Sequence, residues 1–367
     1  MSDPRVVEFA KTLVGFSVRV QPGETVAITG GVAAEPLFRA VFREVVAAGG
    51  YPVVLPTFSG LNAVLLKNGN DDQLSYISPT ERFLREEVDV MIAIQAETNT
   101  KALATVDPAR QQFFQSKRRH LFDRYLERSA SGELKWVLTL FPTDGFAQDA
   151  GLSTEEYADF VYTACKLNGT DPVQAWKALS EEGKRIIEWL KGRKSLHLTG
   201  PGTDLTVDIT GRTWENSDGT MNFPDGEIFT SPVESGTNGT VTFSYPVVTA
   251  GREIEGIVLT FENGKVVKAT ATKGEDYLNA VLDTDEGARF LGEFAIGTNY
   301  DIQMFSKNIL FDEKIGGTVH MAIGAGYPET GSVNKSAVHW DMICDLRKGG
   351  ELRADGDLLM KDGKFVV

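Results

Sequence analysis

Over the first half of the chain the apolar positions switch repeatedly between helical and strand spacing. Residues 6–16 repeat at the helical period, and the turn Gln21-Pro-Gly-Glu leads into a strand at Thr25-Val-Ala-Ile-Thr. Residues 34–48 predict a long amphipathic helix closed by Gly49-Gly50, followed by a strand at Tyr51-Pro-Val-Val-Leu. A helix beginning at Thr80, a strand over 88–95, a helical stretch over 108–128 and a strand over 134–141 continue the rhythm. Alternating strands and helices predict a mostly parallel sheet covered by helices. Ser153-Thr-Glu-Glu156 has the spacing of a capping box and opens a helix through Lys166, and two further helical stretches cover 172–179 and 181–191.

From Leu196 onward the pattern changes. Short alternating strands are predicted over 196–199, 205–209, 240–246, 255–261 and 265–272, with one helix over 275–290. Asn263-Gly264 is the favoured two-residue hairpin turn, and Asn238-Gly239 reads as a second one. The sequence therefore predicts an α/β fold in two domains. Residues 1–194 form an N-terminal α/β domain with a mostly parallel sheet, and residues 195–367 a strand-rich α+β domain.

Composition narrows the partners. Hydrophobic residues make up 42% of the chain, enough for globular cores, and there is no apolar run long enough to span a bilayer. The N-terminus, Met-Ser-Asp-Pro-Arg, lacks the basic-then-apolar pattern of a secretion signal. A net charge of −14, spread along the chain, argues against nucleic acid and anionic membrane as partners. Cys165 and Cys344 sit far apart in apolar contexts, as expected of buried free thiols in a reducing cytoplasm. Thr29-Gly-Gly lacks the full Gly-x-Gly-x-x-Gly spacing, so a dinucleotide loop is not expected.

The chemistry concentrates in the second half. In Ser336-Ala-Val-His-Trp-Asp-Met-Ile, strand alternation projects His339 and Asp341 from one face and Trp340 from the other. An imidazole and a carboxylate side by side among apolar residues need compensation, either a mutual hydrogen bond or a divalent cation. His320 stands in a second strand, Thr318-Val-His-Met-Ala-Ile, that runs into Gly324 and Gly326 and then Tyr327 and Glu329. Two of the chain's four histidines thus fall within twenty residues, while His120 and His197 read as structural or surface groups. There is no His-Glu-x-x-His and no Cys-x-x-Cys, so ligands to a metal would come from separate strands and include carboxylates. Glu227, after the turn Phe223-Pro-Asp-Gly, and Glu293, between Leu291 and Phe294, are the carboxylates available. For Glu227 an exposed turn is the competing reading; for Glu293 the apolar neighbours favour burial with a partner. Tyr327 reads either as a core aromatic or as a hydroxyl donor, and Glu329 most simply as a surface-loop residue.

These segments, taken together, resemble one family. Gly226-Glu-Ile-Phe-Thr-Ser-Pro, Leu291-Gly-Glu-Phe-Ala, Val319-His-Met-Ala-Ile-Gly, Tyr327-Pro-Glu-Thr and His339-Trp-Asp are similar, in this order, to motifs of the thermophilic aminopeptidase T / aminopeptidase S family of metallopeptidases. Phe141-Pro-Thr-Asp, Gly151-Leu-Ser-Thr-Glu-Glu-Tyr, Asp171-Pro-Val-Gln-Ala-Trp and the hairpin 255–267 extend the resemblance over most of the chain, weakest before residue 130. The resemblance implies two divalent metal ions held by Glu227, Glu293, His320, His339 and Asp341, and a catalytic role for Tyr327. It implies a homodimer acting on peptides with a free N-terminus, in the cytoplasmic setting that the cysteines suggest. Carboxylate and imidazole ligands suit zinc, cobalt or manganese. Glu293 is the first choice for the carboxylate that shuttles a proton to the leaving amine, and Glu329 the second. Two other readings stay open at this level: a two-metal hydrolase of non-peptide amides or esters, and a binding scaffold without turnover.

Overall fold

The computed structural model describes residues 3–169, 171–249 and 252–367. The chain forms two compact units, Met1–Ala175 with Gly219–Pro224, and Trp176–Asp218 with Asp225–Val367. The sequence texture changes near residue 194, whereas packing divides the chain at Ala175 and returns Gly219–Pro224 to the first unit.

In the first unit, strands Thr25–Gly31, Tyr51–Thr57, Val90–Gln95, Lys135–Leu140 and Asn222–Phe223 build one five-stranded sheet, parallel throughout. The first three crossovers are helical, as parallel pairing requires, while the last strand returns to the sheet after the chain has passed through Trp176–Asp218 of the second unit. The stretch expected to be helical over 108–128 is two helices, Pro108–Lys117 and Arg119–Ala130. The break lies at Arg118, whose guanidinium donates to the carbonyls of Leu74 and Tyr76 and to Glu81. The capping box forms as its spacing predicts. Ser153 Oγ accepts from the Glu156 amide, and the Glu156 carboxylate accepts from the Ser153 amide at 2.9 Å.

Two corrections concern local structure. The stretches expected over 172–179 and 181–191 are one helix, Pro172–Leu190. Ser180, where a break was read, keeps its carbonyl and hydroxyl satisfied by Asn216 and Asp218. Asn238-Gly239 is not a turn but lies within the strand Thr237–Thr242. Glycine is required at 239 because φ is +117° and a Cβ there would meet the Asp204 carbonyl oxygen at 2.2 Å. Asn263-Gly264 does close the hairpin, with Glu262 paired to Lys265 and both turn residues at positive φ.

The second unit is built on two antiparallel sheets. One has eight strands and includes Ser195–Gly200, Thr203–Asp208 and Glu351–Ala354. The other holds five: β1 (Glu215–Ser217), β2 (Glu227–Thr230), β3 (Leu291–Gly297), β4 (Thr318–Gly324) and β5 (His339–Asp345), in the order β5-β4-β3-β2-β1. Phe294 and Ile296 of β3, Val319, Met321 and Ile323 of β4, and Trp340 and Met342 of β5 join one buried core with Leu196, Leu198, Leu205 and Val207 of the larger sheet. Period-two alternation therefore commits one face of the smaller sheet to the core and leaves the residues between them on the other face.

Candidate metal centre

The ladder register gathers the polar face. Glu293 of β3 pairs with Ala322 of β4, and Ala322 pairs with Asp341 of β5. His320 lies opposite Ala295 and Ile343, Gly324 opposite His339, and Glu227 opposite Gly297. Glu227, Glu293, His320, His339 and Asp341 therefore rise from one face of four adjacent strands. Between the longer side chains the face carries Ala295, Gly297, Ala322 and Gly324. Gly324 has φ of +99°, and a Cβ there would meet the Val338 carbonyl oxygen at 2.1 Å, so the backbone closes tightly just before His339.

The side chains converge. His320 Nε2 is 3.3 Å from Glu227 Oε2 and 3.8 Å from Glu293 Oε1. His339 Nε2 is 3.2 Å from Glu293 Oε2 and 3.7 Å from Asp341 Oδ1. Glu293 thus faces one imidazole with each oxygen. His339 Nδ1 donates to the Ala325 carbonyl at 2.8 Å, which fixes the ring and turns Nε2 into the cluster. The Tyr327 hydroxyl lies 3.3 Å from that Nε2, and its ring packs on Phe229 at 5.1 Å.

Glu227 is buried, at 6% exposure, so the exposed-turn reading does not hold. Trp340 points away, into the core and edge-on to Tyr277. Glu329 is exposed in the turn Pro328–Thr330, and it adds to the partial burial that pushes the Glu215 carboxyl up. His120 is exposed and His197 half-buried, both outside the cluster, His197 bonding to Asp204.

Two residues that the sequence did not single out complete the site. Lys314 is fully buried, with Nζ 3.1 Å from Glu227 Oε1, 3.8 Å from Asp225 Oδ1, and in contact with Glu313. Glu313, His320 and Asp341 each bring a ligand atom within 4.8 Å of the others, and so do Glu293, His339 and Asp341. Asp341 belongs to both triads.

The electrostatics are those of crowded acids. Burial pushes the Glu227 carboxyl up, with Lys314 opposing, and pushes Asp341 up to about 7. Burial also acts to raise Glu293, but the imidazoles of His320 and His339 hold it down to about 2. Burial alone would lower the imidazoles, yet Glu293 and the acids around it raise His320 to about 9 and His339 to about 10. Burial pushes the Tyr327 phenol far up, so it stays protonated as a donor. Among the described residues, Glu227 Oε2, His320 Nδ1 and Asp341 Oδ1 are buried without a hydrogen-bond partner. Buried carboxylate oxygens of this kind need a cation. The donor set and the unpaired carboxylate oxygens fit divalent metal ions.

Two overlapping triads of carboxylate and imidazole, all but Glu313 on one β-sheet, are the donor set of a metal-dependent class of protein. The chain belongs to the thermophilic metalloprotease family M29, whose model matches residues 2–365. It is 29% identical to aminopeptidase 2 of Geobacillus stearothermophilus, over 97% of this chain and 94% of that one. It is 30% identical to aminopeptidase T of Thermus thermophilus, over 74% of this chain and 75% of that one. The solved structure of wild-type AmpT from Thermus thermophilus superposes with a TM-score of 0.86 at 26% identity, covering 99% of each chain. A 2,5-dihydroxypyridine dioxygenase from Pseudomonas putida KT2440 shares the fold alone, with a TM-score of 0.59 at 16% identity over 100% of this chain and 98% of that one. No helix among the described residues is long and apolar enough to cross a membrane.

Proposed function

We propose that this metal-dependent aminopeptidase holds two divalent cations on the polar face of β2–β5, through Glu227, Glu293, His320, His339 and Asp341. The observation that carries the reading is the convergence of these five side chains over Ala322 and Gly324. Charge supports divalent cations. Asp225, Glu227, Glu293, Glu313 and Asp341 outnumber the one ammonium, Lys314, and the two imidazoles, His320 and His339. Zinc, cobalt and manganese suit these ligands. When bound, the ions supply Lewis-acid polarisation of a carbonyl and lower the pKa of water.

The chain's own groups do the rest. Tyr327, protonated and held beside His339 by its packing on Phe229, donates a hydrogen bond to the carbonyl oxygen as charge develops there. Glu293, ionised at neutral pH, accepts the proton of the attacking water on a carboxylate oxygen and returns it to the leaving amine. Glu329 is less suited to that task because it is exposed beside Glu215. A free α-amine would be a further ligand for one of the ions, whereas an acetylated N-terminus would not, which favours peptides with a free N-terminus. Family membership favours peptides over non-peptide amides or esters, and an active enzyme over an inert scaffold. With this reading go homodimeric assembly, which the family resemblance implies, and a cytoplasmic setting, which the two buried free cysteines support.

The test compares one tripeptide with and without an N-terminal acetyl group. Hydrolysis of the free peptide from its N-terminus, and little of the acetylated one, is expected. Equal rates would contradict the exopeptidase reading.

A further inference from the structure

The side chain of Lys314 has no exposure at all, and no step of the peptide hydrolysis uses it. An ammonium buried to this depth is costly unless carboxylates meet it. Here they meet it from three residues. Glu227 Oε1 accepts from Nζ at 3.1 Å, Glu313 Oε1 accepts from it as well, and Asp225 Oδ1 lies 3.8 Å away. A lysine ammonium has three N–H donors and no acceptor, so each bond it makes takes up a carboxylate oxygen.

The backbone behind this ammonium is fixed. The Asn299 amide donates to the Lys314 carbonyl at 3.2 Å, and the Asn299 side chain donates to the Asp225 carbonyl at 2.9 Å. Asn299 thus ties the segment carrying Lys314 to the turn just before Glu227. Gly297, opposite Glu227 in the ladder, admits that segment, since a Cβ there would meet the Ile315 carbonyl oxygen at 2.2 Å.

The consequence falls on Glu227. Its Oε1 is taken by Lys314, and only Oε2 faces the cluster, 3.3 Å from His320 Nε2. Among the described residues that oxygen is buried with no hydrogen-bond partner. A carboxylate engaged on one side and bare on the other can offer an ion one oxygen, and cannot close on it with two. Resting on the metal reading of the site, we propose that Lys314 is a positioning residue that holds Glu227 to one-oxygen ligation. The site is thereby tilted towards ions that accept few ligands, such as zinc, and away from ions that gather many oxygens, such as manganese.

The experiment measures the Kd of zinc and of manganese by competition with a chromogenic chelator, on the wild-type chain and on Lys314→Met. Methionine keeps much of the length and loses the charge, and circular dichroism checks the fold. The ratio of the manganese Kd to the zinc Kd is expected to fall by about tenfold or more in Lys314→Met, within the usual reach of a group that orients a metal ligand. Lysine acting only as a charge would leave both ions bound more tightly in the variant by the same factor. An unmoved ratio therefore overturns the proposal. If Lys314→Met does not fold, a crystal structure of the zinc-loaded wild-type protein decides. Glu227 should meet the ion through Oε2 alone, with Oε1 still on Lys314; two Glu227 oxygens on the ion, or a broken Lys314 pair, would overturn it. A wild-type chain that binds neither ion removes the metal reading and this inference with it, whereas metal binding with an unmoved ratio removes the inference alone.

Discussion

Glu293 and Asp341 stand on either side of Ala322 in a single rung of the β-ladder, so two carboxylates from separate strands face each other across a methyl group. Ala322 is fully buried, and its neighbours in the strand, Val319, Met321 and Ile323, face the core. The smallness of residue 322 is therefore a requirement of the site and not of the core.

Ala322→Leu should fill the floor between Glu293 and Asp341 and displace at least one metal ion, with loss of nearly all turnover. Overpacking of this kind costs about 1–3 kcal/mol, which a protein of ordinary stability survives. Elemental analysis and circular dichroism check it together. A folded variant with wild-type metal content and turnover would show that the space above Ala322 is not used.

Tyr327→Phe keeps the packing on Phe229 and removes only the hydroxyl. Metal content and KM should stay close to wild type, while kcat falls by roughly a hundredfold to a thousandfold, the usual loss for one oxyanion donor. If Tyr327 were only a packing residue, Phe would fill the same place, and kcat would stay within a factor of about three, or roughly 0.6 kcal/mol of barrier. Steady-state kinetics on the metal-loaded variant separates the two.

Asp285 secures the approach to His339. Its carboxylate accepts from the Ala337 amide at 2.7 Å, the Ser336 hydroxyl at 2.8 Å and the Ala288 amide at 2.9 Å. The Ala337 amide foremost, with these other donors, holds the carboxyl below its usual range against burial. A depressed carboxylate stabilises the fold above its unfolded pKa of about 3.9, and that contribution disappears as pH falls through the folded value. Asp285→Ala should cost about 1 kcal/mol at pH 7, as loss of a cap does, and the difference from wild type should shrink below about pH 4. Urea unfolding of both proteins across that range gives the answer; a difference that grows on acidification would reverse the sign.

Much of the site was legible in the sequence because strand alternation is a short-range pattern. Val338, Trp340 and Met342 against His339 and Asp341 gave the two faces of β5 directly, and Trp340 does turn into the core. His320 between Val319 and Met321 did the same for β4. The two-residue hairpin at Asn263-Gly264 and the capping box at Ser153 are likewise local chemistry. Lys314 and Glu313 escaped notice for the opposite reason. In Phe311-Asp-Glu-Lys-Ile two adjacent opposite charges look like a solvated turn, and only their tertiary contacts with Glu227, His320 and Asp341 make them part of a buried site. Asn238-Gly239 misled because an Asn-Gly pair usually turns the chain, whereas here glycine admits the close approach of the Asp204 carbonyl to a strand. Ser180 reads as a break because serine favours caps, but its tertiary partners, Asn216 and Asp218, satisfy it within one continuous helix.

The central claim is that the five residues Glu227, Glu293, His320, His339 and Asp341 hold two divalent ions. The direct measurement is elemental analysis of the purified protein, and of apoprotein reloaded with zinc, cobalt or manganese, beside the same analysis of His339→Ala. Two equivalents per chain in the wild-type protein, with at least one lost in His339→Ala while the circular dichroism stays unchanged, is the predicted result. One equivalent or none in the active wild-type protein, or two retained in a fully active His339→Ala, would contradict it.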